Sequence, residues 1–401
     1  MSAAPYVPVT KDEVAFVGTG PVPTRPYYDP AYFELEREAI FKRVWLHVGR
    51  VDEVDQPGQY IVRPIEAARA SVLIVRGADG ELRAFHNVCA HRSAQLVPGD
   101  GGTARNFQCR YHGWTYGSDG RLRGVPDEGS FFDVDKAECG LAPIALETCA
   151  GFIFVNLDRT PRHSLREFLG VWADRIEALD IGASDVFSEY TYEVEANWKV
   201  TFDNFQEIYH GRIVHAKSIG AQTFAPENPF GYPTKYSFAE DGLHRSKTLW
   251  FNPNYQPGPI EALASRIVAT SSPPVSDTMA SSTEHFYLFP NVTFLAAQNR
   301  CFTQTVWPID AHHTRSVIRV YWEGPDPSAS VRFAREFRTA ATLDVHCEDR
   351  DIIEASHQGL RSGAFESLHF QIHEVDCRHA YHAVDRHVEE YRSELAGGRP
   401  A

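Results

Sequence analysis

The stretch Cys89-Ala90-His91-Arg92, answered seventeen residues further on by Cys109-Arg110-Tyr111-His112-Gly113-Trp114, decides how the rest of this chain is read. Each motif offers one thiolate and one imidazole, C-x-H and then C-x-x-H. Two cysteines for one iron and two histidines for the other make the donor set of a [2Fe–2S] centre with unlike ends. A structural zinc site can use the same four side chains, but zinc fingers take two cysteines from one motif and two histidines from the next. The spacing favours the two-iron centre.

Working outward, residues 59–158 read as all-β. Ser71–Arg76 and Glu81–His86 flank Asp79-Gly80, a hairpin signal, and Asp119-Gly120 supplies a second. Gly151–Asn156 is a buried strand that closes this part. The two ligand loops are expected at the tips of neighbouring hairpins.

The full chain has 401 residues, room for two or three domains. Its formal charge of −14 and the lack of a basic patch argue against nucleic acid. Apart from Cys89 and Cys109, the five remaining cysteines (139, 149, 301, 347 and 377) show no framework spacing and are read as free thiols of a reducing compartment. No stretch approaches the ~18 apolar residues of a membrane span, and the N-terminus lacks a signal-peptide pattern. A cytoplasmic protein is expected, with neither nucleic acid nor membrane as partner.

Residues 1–44 are read as an arm followed by a helix from Pro30 to Val44, packing with the part of the chain beyond residue 158. Beyond residue 158 an amphipathic helix spans 165–180, a strand lies near 187–194, and Asn197-Trp198-Lys199 opens a helix. Residues 218–280 are irregular except for a helix near 261–268 and read as a lid or variable surface. Four strands follow between 285 and 322, then helices over 329–361 and 376–394. Strands covered by helices in this way give an α+β domain.

The two cysteine–histidine motifs resemble those of the Rieske non-haem iron oxygenases, the ring-hydroxylating family, in their alpha (large, catalytic) subunit. Respiratory Rieske proteins carry an extra cysteine in each loop; here Ala94 and Tyr111 take those places. Trp114 would cover the cluster. The resemblance implies a fold of a small all-β Rieske [2Fe–2S] domain, 45–158, and a larger catalytic domain, 159–401, built on an antiparallel sheet covered by helices.

It also implies a second metal. His210 and His215 are five apart, about 140° around an ideal helix, so they converge only where the helix is distorted or ends, and Gly211 sits at that point. The run Asp203–His215 resembles the family's mononuclear-iron segment. A facial triad adds one carboxylate. Val345, Asp349, Ile352, Ile353, Ser356 and Leu360 form one stripe at helical spacing, which turns Asp349 inward, where metal coordination offsets the cost of its burial. Glu348, Asp351 and Glu354 fall on solvated faces. His210, His215 and Asp349 are therefore assigned to one Fe(II). The family's Gln-x-Gly-Leu ending is matched at Gln358-Gly359-Leu360, with His357 where Gln is usual.

Glu207 stands where the family holds a carboxylate, usually Asp, that joins an iron histidine to a Rieske histidine of the neighbouring subunit. Here it would join His210 to His112 of a neighbour. Glu at this position resembles the branch that oxidises carnitine, choline and betaine. Asp203 is expected to line the pocket and favour a cation, with Phe205, Tyr209, Trp250, Phe286, Phe289 and Trp307 as aromatic faces; Arg300 or Arg319 would serve an aromatic carboxylate instead.

By this resemblance the protein uses O2 and NAD(P)H-derived electrons, delivered by a separate reductase or ferredoxin, to hydroxylate or oxidatively dealkylate a small molecule. A quaternary ammonium compound is favoured and an aromatic acid is the alternative. A homotrimer is implied. A Rieske electron carrier without oxygenase activity is the reading from another class, and it leaves His210, His215 and Asp349 without a role.

Overall fold

The computed structural model describes residues 6–178, 186–239, 242–271, 283–297, 300–322 and 328–397. The chain divides into two compact units, one from Arg37 to Glu177, the other taking the chain up to Glu36 and from Ala178 onward. Helix α1, Pro30–Glu36, begins where Asp29 accepts the Ala31 amide at 2.8 Å. Its continuation, Arg37–Phe41, is a π turn, so the helix expected to reach Val44 changes geometry first.

The unit 37–177 is mainly β, with two short α-helices and a few single helical turns. Its strands are β1 (Leu46–Arg50), β2 (Gln59–Ile65), β3 (Ala70–Arg76), β4 (Leu82–His86), β5 (Gly101–Thr103), β6 (Asn106–Gln108), β7 (Thr115–Gly117), β8 (Leu122–Gly124), β9 (Pro143–Cys149) and β10 (Phe152–Asn156). Seven of them pair in the order β1-β10-β9-β4-β3-β2-β5, and β6-β7-β8 make a separate meander. Val62, Leu73, Val75 and Phe85 from the large sheet pack with Phe107, Trp114 and Tyr116 from the meander around Cys89 and Cys109. Gly120 turns β7 into β8 with φ +82°, and a Cβ there would meet the Phe85 ring at 2.4 Å. Two helices, α2 (Leu165–Leu169) and α3 (Val171–Glu177), replace the single one expected over 165–180. Gly170, at φ +53°, breaks it.

The other unit carries β11 (Val186–Val194), α4 (Trp198–Asn204), α5 (Gly211–Val214), β12 (Lys235–Phe238), β13 (Arg245–Leu249), α6 (Pro259–Ser271), β14 (Thr283–Leu288), β15 (Val292–Ala297), β16 (Arg300–Pro308), β17 (Thr314–Trp322), α7 (Ala329–Arg361) and α8 (Val375–Ala396). Its strands form one antiparallel sheet in the order β11-β17-β16-β15-β14-β13-β12. Strands β12 and β13 come from the stretch read as irregular. The α+β architecture is as expected. Asn197 caps α4 by accepting the Lys199 amide at 3.1 Å, and its own amide donates to Ala311 O at 2.9 Å. Lys199 is anchored against Glu36 at 2.5 Å, both side chains buried. Helices α4 and α5 pack against α7, and this brings the sequence around 203–215 beside the one around 349. Among the described residues no helix is long and apolar enough to cross a membrane.

Two candidate metal centres and a cavity

The loops bearing the cysteine–histidine motifs are built alike. Each is closed by a cross-strand pair, Val88 with Gln95 and Gln108 with Thr115. In each the cysteine amide donates to the carbonyl five residues on, Cys89 to Ala94 and Cys109 to Trp114, both at 2.8 Å. In each the residue four past the cysteine has positive φ, Ser93 at 56° and Gly113 at 75°. The loops bury Cys89 and Cys109 to 2% exposure, while His112 stands exposed. His91 and His112 face each other edge to face, ring centres 4.5 Å apart.

Trp114 stacks on His91 at 4.9 Å with 8° between the planes, so the indole covers one histidine. Tyr116, which the sequence reading passed over, places its hydroxyl 3.2 Å from Cys89 Sγ and accepts the Ala90 amide at 3.0 Å. Its signal was only its place two residues past Trp114, on β7. These four candidate ligands do not gather around a single point, as a zinc ion would require. Each loop brings one cysteine and one histidine, so that both cysteines can hold one iron and both histidines the other in a two-iron cluster.

The second set does gather around a point. Among the described residues His210, His215 and Asp349 are the only three such groups whose ligand atoms lie within 4.8 Å of one another. His210 precedes the single turn α5 and His215 follows it, so the break at Gly211 brings the rings together. Their Nε2 atoms are 3.2 Å apart. Asp349 Oδ1 lies 3.3 Å from His210 Nε2 and 3.0 Å from His215 Nε2. That buried oxygen accepts no hydrogen bond of good geometry, so the three donors are aimed at a shared point, an arrangement that suits a metal ion. Burial works to lower His210, but the Asp349 and Glu207 carboxylates outweigh it and raise the imidazole to about 9.

Each imidazole is held from behind by a carboxylate. Glu207 Oε1 pairs with His210 Nδ1, and its other oxygen accepts the His210 amide at 3.2 Å. Glu348 Oε2 lies 2.7 Å from His215 Nδ1 and accepts Ser218 Oγ at 2.6 Å. Glu348 was expected in solvent; it sits one residue before Asp349 and reaches back over the His215 ring. The inward face of α7 also differs from the expected stripe. His346, Asp349, Ile353 and His357 are buried, whereas Ile352 is 44% exposed and Ser356 is exposed too. Buried His346 and His357 shift the face by about one residue from the expected stripe.

A cavity of about 440 Å³ opens over the three converging groups, between α7 and the sheet. Phe205, Trp250 and Phe302 line it, with Lys247 and Arg338 as its lysine and arginine. Of the other expected aromatic faces, Phe286, Phe289 and Trp307 are core residues, and Tyr209 is 46% exposed; none lines the cavity. Asp203 does not line it either. Helix α4 ends at Asn204, so the helical relation to His210 fails, and Asp203 turns to Tyr27 and to Gln206 Nε2 at 2.7 Å. Burial, against the Tyr27 hydrogen bond and Arg245, pushes its carboxyl up to about 7. Arg319 pairs with Glu189 across the sheet, and the side chain of Arg300 lies outside the described residues.

The sequence was compared with known proteins. Residues 44–142 match the Rieske [2Fe–2S] domain, and residues 182–390, more than half of the chain, match the catalytic domain of the ring-hydroxylating alpha subunits. The chain belongs to that family. Relatives of this alpha subunit include the glycine betaine monooxygenase oxygenase subunit of Pseudomonas aeruginosa, 35% identical over 46% of this chain. That match spans only 43% of the relative's length. The carnitine monooxygenase oxygenase subunit of Acinetobacter pittii is 26% identical over 84% of this chain and 85% of its own. The alpha subunit of 2-aminobenzenesulfonate 2,3-dioxygenase from Alcaligenes sp is 36% identical over 46% of this chain and 48% of its own. Among solved structures, the quaternary ammonium Rieske monooxygenase CntA with L-carnitine superposes with TM-score 0.71 at 23% identity, covering 95% of this chain and 99% of that one. Naphthalene 1,2-dioxygenase with indole gives 0.71 at 23%, covering 94% and 96%. At such identity these two show the shared fold.

Proposed function

We propose that this alpha subunit is the oxygenase component of a multicomponent monooxygenase that hydroxylates or oxidatively dealkylates a small quaternary ammonium compound, with electrons from a separate reductase or ferredoxin. The convergence of His210, His215 and Asp349 beneath the cavity carries the reading. These three residues would hold Fe(II), while Cys89, Cys109, His91 and His112 would hold the [2Fe–2S] cluster. When bound, the cluster relays electrons and the iron activates O2 beside the substrate.

The chain's own residues do the rest. Glu207 and Glu348 keep the proton of each imidazole on Nδ1, so that Nε2 presents its lone pair to the metal. Glu207 also stands as the bridge from His210 toward His112 of a neighbouring copy in a homotrimer, consistent with the exposure of His112. Phe205, Trp250 and Phe302 exclude water and offer faces to a cationic nitrogen. The relatives named for glycine betaine and carnitine support this substrate class; the aminobenzenesulfonate relative supports an aromatic acid as the second reading. Seven cysteines without a disulfide among the described residues accord with a cytoplasmic setting.

Turnover with a surrogate reductase and NADH tests the proposal, offering quaternary ammonium compounds and aromatic acids as separate pools and scoring oxygenated product by mass. Product from the ammonium pool is expected. Product from the aromatic pool alone would overturn the substrate class. No product, with two rather than three irons per chain, would reduce the protein to an electron carrier.

A further inference from the structure

One polar group in the cavity has no part in the chemistry above. His346 lies on α7 one turn before Asp349, about 4.5 Å along the axis, and lines the cavity while only 2% exposed. Its Nδ1 is 2.6 Å from the Tyr190 hydroxyl on β11. A phenol is the stronger donor and a neutral imidazole nitrogen the stronger acceptor, so Tyr190 donates and the ring proton sits on Nε2. Burial, against the field of Asp349, lowers the imidazole to about 4, and the ring is neutral near pH 7. Tyr192 and Phe205 pack on it, ring centres 5.8 and 4.9 Å away, and fix its plane. Nε2 makes no hydrogen bond among the described residues. Unlike His285 Nε2, it is not sealed off, and the surface at this ring is the cavity.

We propose that His346 reads an oxygen acceptor on the substrate, a carboxylate near the carbon that is oxidised, by donating its Nε2–H. The inference rests on the cavity being the substrate site and names the acid end of that substrate. The other candidates fit less well. Arg338 lies eleven residues before Asp349, about 16 Å along α7, beyond the span of a small betaine, and it donates to Ser265 Oγ at 2.9 Å. Lys247 donates to Phe205 O at 3.3 Å. Only His346 combines a preset donor with a position one turn from the converging triad.

The test uses the full-length, iron-loaded protein with its reductase and matched ligand pairs, one member bearing a carboxylate and the other lacking it. One pair is a trimethylammonium acid and the corresponding alkyltrimethylammonium; the other is an aromatic acid and its acid-free counterpart. In whichever pair the wild type accepts, His346→Leu should raise KM for the acid-bearing member by ~10–100-fold, the worth of a hydrogen bond to a charged group. KM for the acid-free member should stay within about twofold on the same argument. His346→Gln, which keeps an N–H donor, should recover part of the loss. Tyr190→Phe, which leaves the ring but frees its tautomer, should give a smaller loss in the same direction. Three irons per chain and an unchanged cluster spectrum would establish that the variants are folded. An equal rise for both members, or none for either, would overturn the proposal. If the wild type accepts only the aromatic pair, the ammonium reading falls while His346 is judged on that pair by the same criterion.

Discussion

Glu207 and Glu348 each stand behind one of the clustered imidazoles, and they are not equivalent. Glu348 is fixed on α7 and holds His215 and Ser218, so Glu348→Gln should weaken iron binding ~10–100-fold with the cluster untouched. Iron retention under mild chelation reads this directly; unchanged retention would remove its positioning role. Glu207→Gln or Ala, in contrast, is expected to block turnover even in protein in which both centres are loaded, and full product formation would refute the bridge. Proton competition gives a third expectation. His210, raised to about 9 from 6.5, stabilises the metal-free fold fully below about pH 6.5 and loses that contribution as pH rises through 9. Iron needs the deprotonated ring, so its affinity should climb ~10-fold per pH unit across the same window; an anaerobic Fe(II) titration showing no climb would mean that iron displaces no proton from this ring. At this scale Asp349 was readable because an acid inside a helical stripe is conspicuous. Glu348 was not, because its partner lies more than a hundred residues away. Asp203 was misplaced because a continuous helix was assumed where α4 ends.

Helix α7 carries a donor of the candidate metal centre, the His346 donor and one wall of the cavity on a single face. Inserting one alanine between Glu348 and Asp349 would rotate Asp349 by about 100° relative to His346 and leave the alanine in its inward place. The expected product keeps its cluster spectrum and two irons per chain but loses the third; three irons would show that Asp349 is not a ligand. The long elements were legible because periodicity accumulates over many turns, and α7 runs over Ala329–Arg361 as the sequence suggested. Strands β12 and β13 were hidden because their burial does not alternate: β12, at the edge of the sheet, is nowhere fully buried, and β13 buries the polar run Arg245, Ser246 and Lys247. The break at Gly170 was overlooked because the apolar positions on either side of it keep helical spacing.

For the molecule as a whole, the proposed electron path runs from the exposed His112 of one copy to Glu207 of the next. Two inactive variants, Cys89→Ala without a cluster and Asp349→Ala without the mononuclear iron, should therefore regain activity when co-expressed in mixed rings. Separately expressed chains, mixed without exchange, should stay inactive; no recovery in verified mixed rings would place the path within one chain. Asp349, Glu207 and Glu348 together bring more negative charge to the loaded iron than Fe2+ brings positive. These carboxylates favour a cation over a bare anion beside the metal, an effect that Lys247 and Arg338 in the same cavity counter. A zwitterion can meet both conditions, presenting its positive nitrogen to the metal side and its acid to a neutral N–H. Selectivity against simple carboxylates would then come from the ligands' own supports, with no steric gate needed to keep them out.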